Sequence, residues 1–225
     1  MNIIDKQNII RHLKNIEVGD LNSCDIPIKK DNGLLIAYLR PIVNMLVHDE
    51  LVINSLTCWR QKFMKYFLTQ FEATNQRTSS WLQNIVLEDD TRILFLIVDN
   101  TGKAIGNFGV SNITESSAEL DNLIRGEKGG DSQLIFFSEI SLMFWLYNTL
   151  EIKDIYLHVL SNNAKTIALH HSVGFEKYQT KYLTKRSKND EIFYAVSDNT
   201  AIHSQNLALI KMKMNREYFV KTYTN

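Results

Sequence analysis

The sequence is poor in cysteine, and it has no excess of charge of either sign. Its two cysteines, Cys24 and Cys58, are too few and too unpatterned for a disulfide framework or a zinc site. Lys plus Arg equals Asp plus Glu at 25 each, so no overall electrostatic field favours nucleic acid or an anionic membrane. These absences lead us to expect a globular protein of the reducing cytoplasm.

Long apolar runs are missing as well. The N-terminal residues, MNIIDKQNIIRHLKN, include no apolar stretch of signal-peptide length. The most apolar run, Leu134 to Leu150, is interrupted by Ser138, Glu139, Ser141 and Asn148. The motifs GxSxG, GK[ST] in a P-loop, GxGxxG after a first strand and HExxH do not occur. We therefore expect neither secretion nor a membrane span, and the familiar hydrolase and nucleotide-binding motifs give no lead.

The chain has the size and composition of one domain with one core. It has 225 residues, 44% of them hydrophobic, and no internal repeat is visible. Residues 1–33 are predicted to form an N-terminal extension with a short helix, because apolar residues recur between Ile3 and Leu13 and a DNG turn follows at 31–33. The main domain is predicted to span 34–225.

Hydrophobic periodicity and turn residues predict a mixed α/β order of elements in this domain. A first strand, LLIAYLRPI, ends at Pro41 and is followed by two helical segments within 49–87. The predicted elements that follow are a hairpin (Arg92–Val98 and Ala104–Val110), a strand (Ser117–Arg125), a helix (about Ser132–Leu150), a strand (Ile155–Leu160), a helix, and two strands (Phe175–Leu183 and Leu207–Met214).

The most informative stretch is VLSNNAKTIALHHSVGF, residues 159–175. An amide, an imidazole and the helix end would share one helical face, because successive offsets of 4, 3 and 4 separate Asn163, Ile167, His170 and Gly174. Ser161 or Asn162 can cap the start of this helix, and Gly174 can adopt the left-handed conformation that ends it.

This segment resembles the last signature of the GCN5-related N-acetyltransferases (GNAT), and the order of elements over roughly 34–215 is similar to that of the same family. The resemblance implies the GNAT acyl-CoA N-acyltransferase fold, a central mixed, mostly antiparallel twisted sheet flanked by helices. The segments LRP at 39–41, WR at 59–60 and TSSW at 78–81 further resemble the subgroup that acylates nucleotide-linked amino sugars and ribosomal-protein N-termini.

The resemblance implies acetyl-CoA, or another short acyl-CoA, as cofactor. The histidines at 158, 170 and 171 imply no metal, because adjacent histidines on a helix point apart and no carboxylate completes a ligand spacing. A strand, a glycine-rich loop and a helix form an anion site, because the first N–H groups of a helix lack partners and its dipole is positive there. In the family this loop reads Q/R-x-x-G-x-G/A; Arg125 and Gly130 match, whereas Lys128 replaces the middle glycine. A plain flexible turn is the alternative. The implied cofactor residues are Leu123, Ile124, Arg125, Gly126, Lys128, Gly129, Gly130, Asp131, Ser132, Asn163 and Thr166, with Asp131 also available as helix cap and Asn163 on the pantetheine arm.

Two histidines stand where similar enzymes keep proton-transfer groups. His158 precedes the Val of the signature, where the similar ribosomal-protein alanine acetyltransferases have a glutamate, and an imidazole suits a general base at neutral pH. His170 stands where the family has a Tyr that protonates the leaving thiolate. A hydrogen bond across the sheet for His158 and a surface position for His170 are the alternatives. Glu119 and Asp121 on the preceding strand are further candidate bases, directly or through water, or else solvated carboxylates.

The predicted function is transfer of an acyl group from acyl-CoA to a primary amine. Trp59, Arg60 and Trp81 are candidates for the acceptor pocket, with burial in the core as the alternative for the tryptophans. The first expectation is a nucleotide-linked amino sugar in surface-glycan biosynthesis; protein N-termini come second, and a non-catalytic acyl-CoA-binding module is the rival from another class. The expected partner is a small-molecule amine, without nucleic acid or membrane, and a homodimer is left open.

Overall fold

The structure, a computed structural model, describes residues 1–197 and 207–224. The helices are α1 (Ile3–Lys14), α2 (Glu50–Phe63), α3 (Asn75–Trp81), α4 (Leu134–Asn148), α5 (Ala164–Val173) and α6 (Arg216–Tyr223), and a π-helical turn, Leu82–Leu87, continues α3. The strands are β1 (Ile26–Lys29), β2 (Leu35–Pro41), β3 (Thr69–Gln70), β4 (Ile93–Asp99), β5 (Ala104–Ser111), β6 (Ser117–Arg125), β7 (Asp154–Leu160), β8 (Phe175–Lys188), β9 (Glu191–Val196) and β10 (Ala208–Met214). None of the helices in these ranges has both the length and the apolar character that crossing a membrane requires.

The described strands form one sheet in the order β1-β2-β4-β5-β6-β7-β10-β8-β9-β3. Every pair of neighbours with a described register is antiparallel except β6 and β7, which run parallel. Parallel neighbours need a long crossover, and α4 supplies it here. The predicted mixed α/β fold, with a mostly antiparallel sheet flanked by helices, is confirmed.

Strand β4 shows why the sheet has helices on both faces. Successive side chains of a strand point to opposite faces, and every residue from Ile93 to Val98 is buried. The odd-numbered ones belong to the core that includes residues of α1, α4, α5 and α6, and the even-numbered ones pack with residues of α2 and the π-helical turn. A strand that is apolar on both sides therefore lies at the centre of a three-layer arrangement.

The N-terminal segment, residues 1–33, packs against the sheet of the main domain. Strand β1 pairs with β2 through Ile28 opposite Ala37, and Ile10 of α1 is fully buried in the main core. Residues 1–33 therefore do not stand apart from the domain that follows. The physical reason is that the apolar face of α1 and the inward side of β1 bury their surface against the same sheet that residues after 34 build.

The region near the C-terminus adds elements that the sequence patterns did not predict. Strand β8 continues five residues beyond the predicted end at Leu183, because β9 pairs with it as far as Lys188. Asn189 and Asp190 connect the two strands with φ of 49° and 62°, the left-handed values that a two-residue hairpin turn requires. Helix α6 follows β10, and the Asn215 side chain accepts hydrogen bonds from the first N–H groups of this helix.

Candidate active site

A cavity of about 970 Å³ opens where β6 and β7 cease to pair. Their parallel ladder runs from Ser117 opposite Asp154 to Leu120 opposite Leu157 and ends there. Residues of both strands beyond that point line the cavity, together with residues of α2, α3 and α5. Near this point β6 has a bulge against β5. Asn122 of the bulge has a φ of 50°, and the side-chain amide of Asn107 donates a hydrogen bond to the Asn122 carbonyl. The backbone of β6 therefore has an edge towards the cavity that β7 does not occupy.

His158 and Glu119 meet across this opening. Nδ1 of His158 on β7 lies 2.8 Å from Oε1 of Glu119 on β6, and both residues line the cavity. The other ring nitrogen, Nε2, is buried, and no group within the described residues forms a hydrogen bond with it. The other carboxylate oxygen of Glu119 accepts a hydrogen bond of 2.6 Å from Asn112. The structure thus brings together two of the predicted catalytic residues and adds a third side chain that holds the carboxylate.

Burial disfavours the charged form of Glu119, but the hydrogen bonds from His158 and Asn112 and nearby positive charge outweigh it, so the pKa of Glu119 is lowered. An ionised Glu119 accepts the Nδ1–H of His158 and leaves the lone pair of a neutral imidazole on Nε2. Asp121, the other predicted carboxylate, also lines the cavity and accepts a hydrogen bond of 3.0 Å from Arg92. Burial raises the pKa of Asp121, although the charge of Arg92 opposes this shift.

His170 is not the surface histidine that the alternative described. It is 4% exposed, and its Nδ1 lies 2.7 Å from Oε1 of Glu139, a fully buried residue of α4. The Phe175 ring packs edge-on against the imidazole, and His170 reaches the wall of the cavity. Its neighbour His171 is exposed. No group of three or more His, Cys, Asp and Glu side chains in the described ranges could hold a metal ion.

The glycine-rich loop between β6 and α4 has the features of an anion site. Gly129 and Gly130 have φ of 112° and 67°, and the Arg125 side chain donates to the carbonyls of Gly129 and Asp131 at 2.7 and 3.3 Å. The backbone N–H groups of 128–132 have no acceptor within the described part of the chain. Lys128 and Ser132 are exposed. Unpaired N–H groups next to a helix start can bind phosphate oxygens.

The contacts of this loop correct two predicted roles, that of Asp131 as the cap of α4 and that of Trp59 in the acceptor pocket. Asp131 accepts from the N–H of Gln133 at 2.8 Å and forms an ion pair of 2.6 Å with Lys30, but α4 begins at Leu134 and no side chain caps it. Trp59 does not line the cavity: it is 1% exposed, and its Nε1 donates to Glu127 at 2.8 Å. A Cβ on Gly126 would come within 2.2 Å of the indole ring. Trp59 thus packs beneath the loop. Its large apolar ring is more stable among the buried residues of α2, β4 and the π-helical turn than in a solvent-exposed pocket.

The remaining predicted cofactor residues lie on the cavity wall. Asn163 precedes α5, and its side chain forms no capping hydrogen bond, although its backbone carbonyl accepts from Ile167. Leu123, Ile124, Arg125, Asn163 and Thr166 all line the cavity. Gly174 ends α5 in the left-handed conformation, with φ of 109°, as predicted. The cavity wall therefore includes both the Asn163 amide, which has no capping hydrogen bond, and the end of β6 that is not paired with β7.

One end of the cavity is aromatic and basic; we call it the acceptor end after the role predicted for Arg60 and Trp81. Both residues line it, and residues that the sequence patterns did not single out join them: Phe63, Tyr66, Phe67, Phe71 and Arg77. Burial lowers the pKa of Arg60 to about 10. These aromatic residues extend from Phe63, the last residue of α2, through the segment that precedes α3, and their spacing along this partly irregular segment was their only sequence signal.

Three further residues of the site were missed: Asn112, Glu139 and Lys30. Only Glu139 had a sequence signal, since a carboxylate in a nearly uniform apolar helix needs a buried partner. Asn112 and Lys30 lie in loops, where no periodicity marks them. Asn112 bonds to Glu119, seven residues further on, whereas Lys30 pairs with the distant Asp131.

Comparison with known proteins identifies the family of this domain. Residues 38–176 match the family model described as an acetyltransferase (GNAT) domain. No curated protein sequence matches the chain significantly. Among solved structures, the chain is similar to a spermidine N-acetyltransferase from Vibrio cholerae, solved with CoA and spermine, at 17% identity and a TM-score of 0.62, covering 82% of this chain and 98% of the other.

Two further solved structures have a similar fold. One is a probable GNAT-family acetyltransferase from Chromobacterium violaceum, at 12% identity and a TM-score of 0.61, covering 84% of this chain and 85% of the other. The second is a GCN5-related N-acetyltransferase from Brucella melitensis, with the same identity and TM-score, covering 84% of this chain and 81% of the other. Because the family model spans more than half of the sequence, this chain belongs to the GNAT acetyltransferase family.

Proposed function

We propose that the protein transfers an acetyl group, or another short acyl group, from coenzyme A to a primary amine bound in the cavity. The observation that carries this proposal is the pairing of His158 with Glu119 at the splayed ends of β6 and β7. His158 lines a large cavity, and its Nε2 has no partner in the part of the chain that the structure describes; such a buried nitrogen is costly unless a ligand group pairs with it.

The chain has groups that fit acyl-CoA. The unpaired N–H groups of 128–132 suit the pyrophosphate, and the amide of Asn163 together with the free edge of β6 suits the amide groups of pantetheine. When bound, acetyl-CoA supplies an acyl group activated as a thioester. The Vibrio cholerae relative, solved with CoA and spermine, supports a coenzyme A thioester and an amine as the two substrates.

The side chains at the opening account for the proton that the amine must lose. Glu119, held by Asn112, orients His158 so that Nε2 accepts a proton from the attacking amine. His170, held by Glu139 at the cavity wall, is the proposed donor of a proton to the leaving thiolate. Holding the amine against the acyl carbon lowers the barrier further, because a positioned reactant needs no encounter from solution.

For the acceptor, a nucleotide-linked amino sugar remains our proposal. Trp81 offers a ring on which a base or sugar can stack, and Arg60 offers a planar group that suits a phosphate. Protein N-termini are the second proposal, and no particular contact in the cavity favours them. The observation that supports the first proposal is the presence of Trp81 and Arg60 together at the acceptor end of the cavity.

Cofactor binding is tested by titration calorimetry with acetyl-CoA. We expect a single site, and Asn163→Ala should weaken binding by about 1 to 2 kcal/mol if the amide pairs with pantetheine. Asn162→Ala is the matched control, because this exposed neighbour bonds only to the Lys65 carbonyl, at 3.4 Å. The absence of heat or of a thermal shift at millimolar acetyl-CoA would contradict the proposal.

Turnover is tested by following thiol release from acetyl-CoA with a panel of amines that includes nucleotide-linked amino sugars. We expect release that depends on the amine and a product that mass spectrometry shows to be N-acetylated. Tight binding of acetyl-CoA without turnover of any amine would instead favour the non-catalytic acyl-CoA-binding module.

A further inference from the structure

Arg60 presents an unusual arrangement of charge at the acceptor end of the cavity. Its guanidinium carbon lies 3.4 Å from the centroid of the Phe67 ring, and Nη2 donates to the Thr69 carbonyl at 3.0 Å. Nε is buried, and no acceptor for it exists among the residues that the structure describes. The guanidinium is therefore held in place by a ring and one carbonyl, with donor capacity left over.

No carboxylate in the described ranges forms an ion pair with Arg60. The charge of Asp121 reaches it, but the carboxylate of Asp121 bonds to Arg92 at 3.0 Å. Burial without a paired anion lowers the pKa of Arg60 to about 10. Removing a cation from water without a partner is costly, and the cost is recovered only when an anion joins it.

A second guanidinium lies at the same end of the cavity. The guanidinium carbon of Arg77 is 5.0 Å from the centroid of the Phe71 ring, and that of Arg60 is 5.4 Å from the same centroid. Arg77 also bonds to Glu191 on β9 at 2.7 Å. Both guanidinium groups thus lie near the Phe71 ring. Because Glu191 pairs with Arg77, Arg60 is the arginine of the two that has no carboxylate partner among the described residues, and it favours an anionic group.

Building on the proposed function, we propose that the acceptor amine carries an anionic oxygen group, a carboxylate or a phosphate, that binds the guanidinium of Arg60 at the cavity wall, while its amino group lies against His158. The planar guanidinium can offer two parallel N–H groups to such an anion. Polyamines, which are cationic along their length, are poor acceptors for this chain, in contrast to the substrate named for the Vibrio cholerae relative.

The test uses acetyl-CoA with two matched sets of amines that differ in the anion alone: glucosamine and glucosamine 6-phosphate, and ω-amino acids and their amides. A third set pairs a nucleotide-linked amino sugar with spermidine as the cationic probe. We expect the anionic member of at least one pair to have a kcat/KM about ten to a hundred times higher than its neutral partner, as for hydrogen bonds to a charged group. Comparison of the sets distinguishes phosphate from carboxylate.

Substitution at Arg60 then assigns the preference to this side chain. In Arg60→Met the ratio within the preferred pair should fall towards one, and in Arg60→Lys, which keeps the charge but loses the planar fork, it should be intermediate. Arg186→Met is the matched control, because Arg186 is exposed on β8 and does not line the cavity. Preference for spermidine or for neutral amines in the wild type, or an equal loss for every amine in Arg60→Met, would overturn the proposal.

A binding measurement separates this inference from the proposed function. The same matched amines are titrated calorimetrically into the protein saturated with coenzyme A, with wild type and Arg60→Met side by side. Tighter binding of the anionic members that depends on Arg60 supports the inference even if no amine is acetylated, a result that would count against the proposed catalysis alone. Binding that ignores the anion refutes the inference whatever the turnover. Far-ultraviolet circular dichroism verifies the fold, and Arg60→Lys replaces Arg60→Met if the latter does not fold.

Discussion

The protein contains two histidine–glutamate pairs with similar distances and different surroundings. His158–Glu119, at 2.8 Å, joins two strands at the open end of a cavity, and the two side chains are 22% and 14% exposed. His170–Glu139, at 2.7 Å, joins two helices, and the side chains are 6% and 0% exposed. In the first pair both carboxylate oxygens of Glu119 have partners, whereas Nε2 of His158 has none among the described residues. In the second pair it is Oε2 of Glu139 that has no described partner.

The difference shows how one chemical pair can serve two purposes. In the half-buried pair the carboxylate is fully bonded and Nε2 of the imidazole is unpaired among the described residues, as the proposed proton acceptor requires. An enclosed pair ties α5 to α4 and fixes the ring that meets the cavity, at the cost of keeping polar groups in an apolar core. The first pair should therefore matter most for catalysis, and the second for stability and only then for catalysis.

The largest expected effect tests the first pair. His158→Ala should lower kcat by about 10² to 10⁴ while acetyl-CoA affinity is preserved, because a positioned general base contributes about that factor. A bell-shaped pH profile of kcat/KM should lose its acidic limb. His171→Ala is the matched control, because this histidine is exposed on α5. A near-normal kcat in His158→Ala would shift the base to Glu119, Asp121 or water.

Removal of one partner of the enclosed pair should mainly affect folding. Glu139→Leu leaves a buried imidazole without its acceptor, and the free energy of unfolding should fall by about 3 to 5 kcal/mol. The double variant Glu139→Leu/His170→Phe removes both polar groups and should regain most of this loss. Urea denaturation measures both, and a loss below about 1 kcal/mol in the single variant would show that the pair does not stabilise the fold.

The double variant also separates the two roles of His170. If its imidazole donates a proton to the leaving thiolate, kcat should remain about ten to a hundred times below the wild-type value although stability has recovered. Acetyl-CoA affinity, measured by calorimetry, should be unchanged. A wild-type kcat in the stable double variant would show that the His170–Glu139 pair stabilises the fold and that His170 does not donate the proton to the thiolate.

The smallest effect concerns the pH dependence of Glu119. Its pKa is lowered in the folded protein, so its ionised form adds stability that is complete above the ordinary carboxylate pKa of about 4.5 and is lost as the pH falls through the folded value. The difference in unfolding free energy between wild type and Glu119→Gln should therefore shrink as the pH falls below about 4.5. Glu176→Gln, exposed on β8, is the control, and an unchanged difference down to pH 3 would contradict the assignment.

Local patterns in the sequence predicted much of the fold. The boundaries of β6, Ser117–Arg125, agree with the prediction, and β4, β5, β7, α4 and α5 lie within a few residues of theirs. These elements have a regular spacing of apolar residues or end at glycine or proline. Such signals depend only on a few neighbouring residues, so they can be read from the sequence. Asn163, His158 and the glycine-rich loop could be singled out for the same reason, since the signature lies in contiguous stretches.

The sequence by itself determined the order of the main elements, the helix that ends at Gly174 and the family of the domain. Only the tertiary structure decided that Trp59 lies beneath the loop, that α1 and β1 complete the core, and that Glu119 and Glu139 each select one histidine. The sequence makes His158 and His170 equally plausible as proton-transfer residues and does not tell them apart. The partner and the burial of a residue depend on packing between segments far apart in the chain, which no local period encodes.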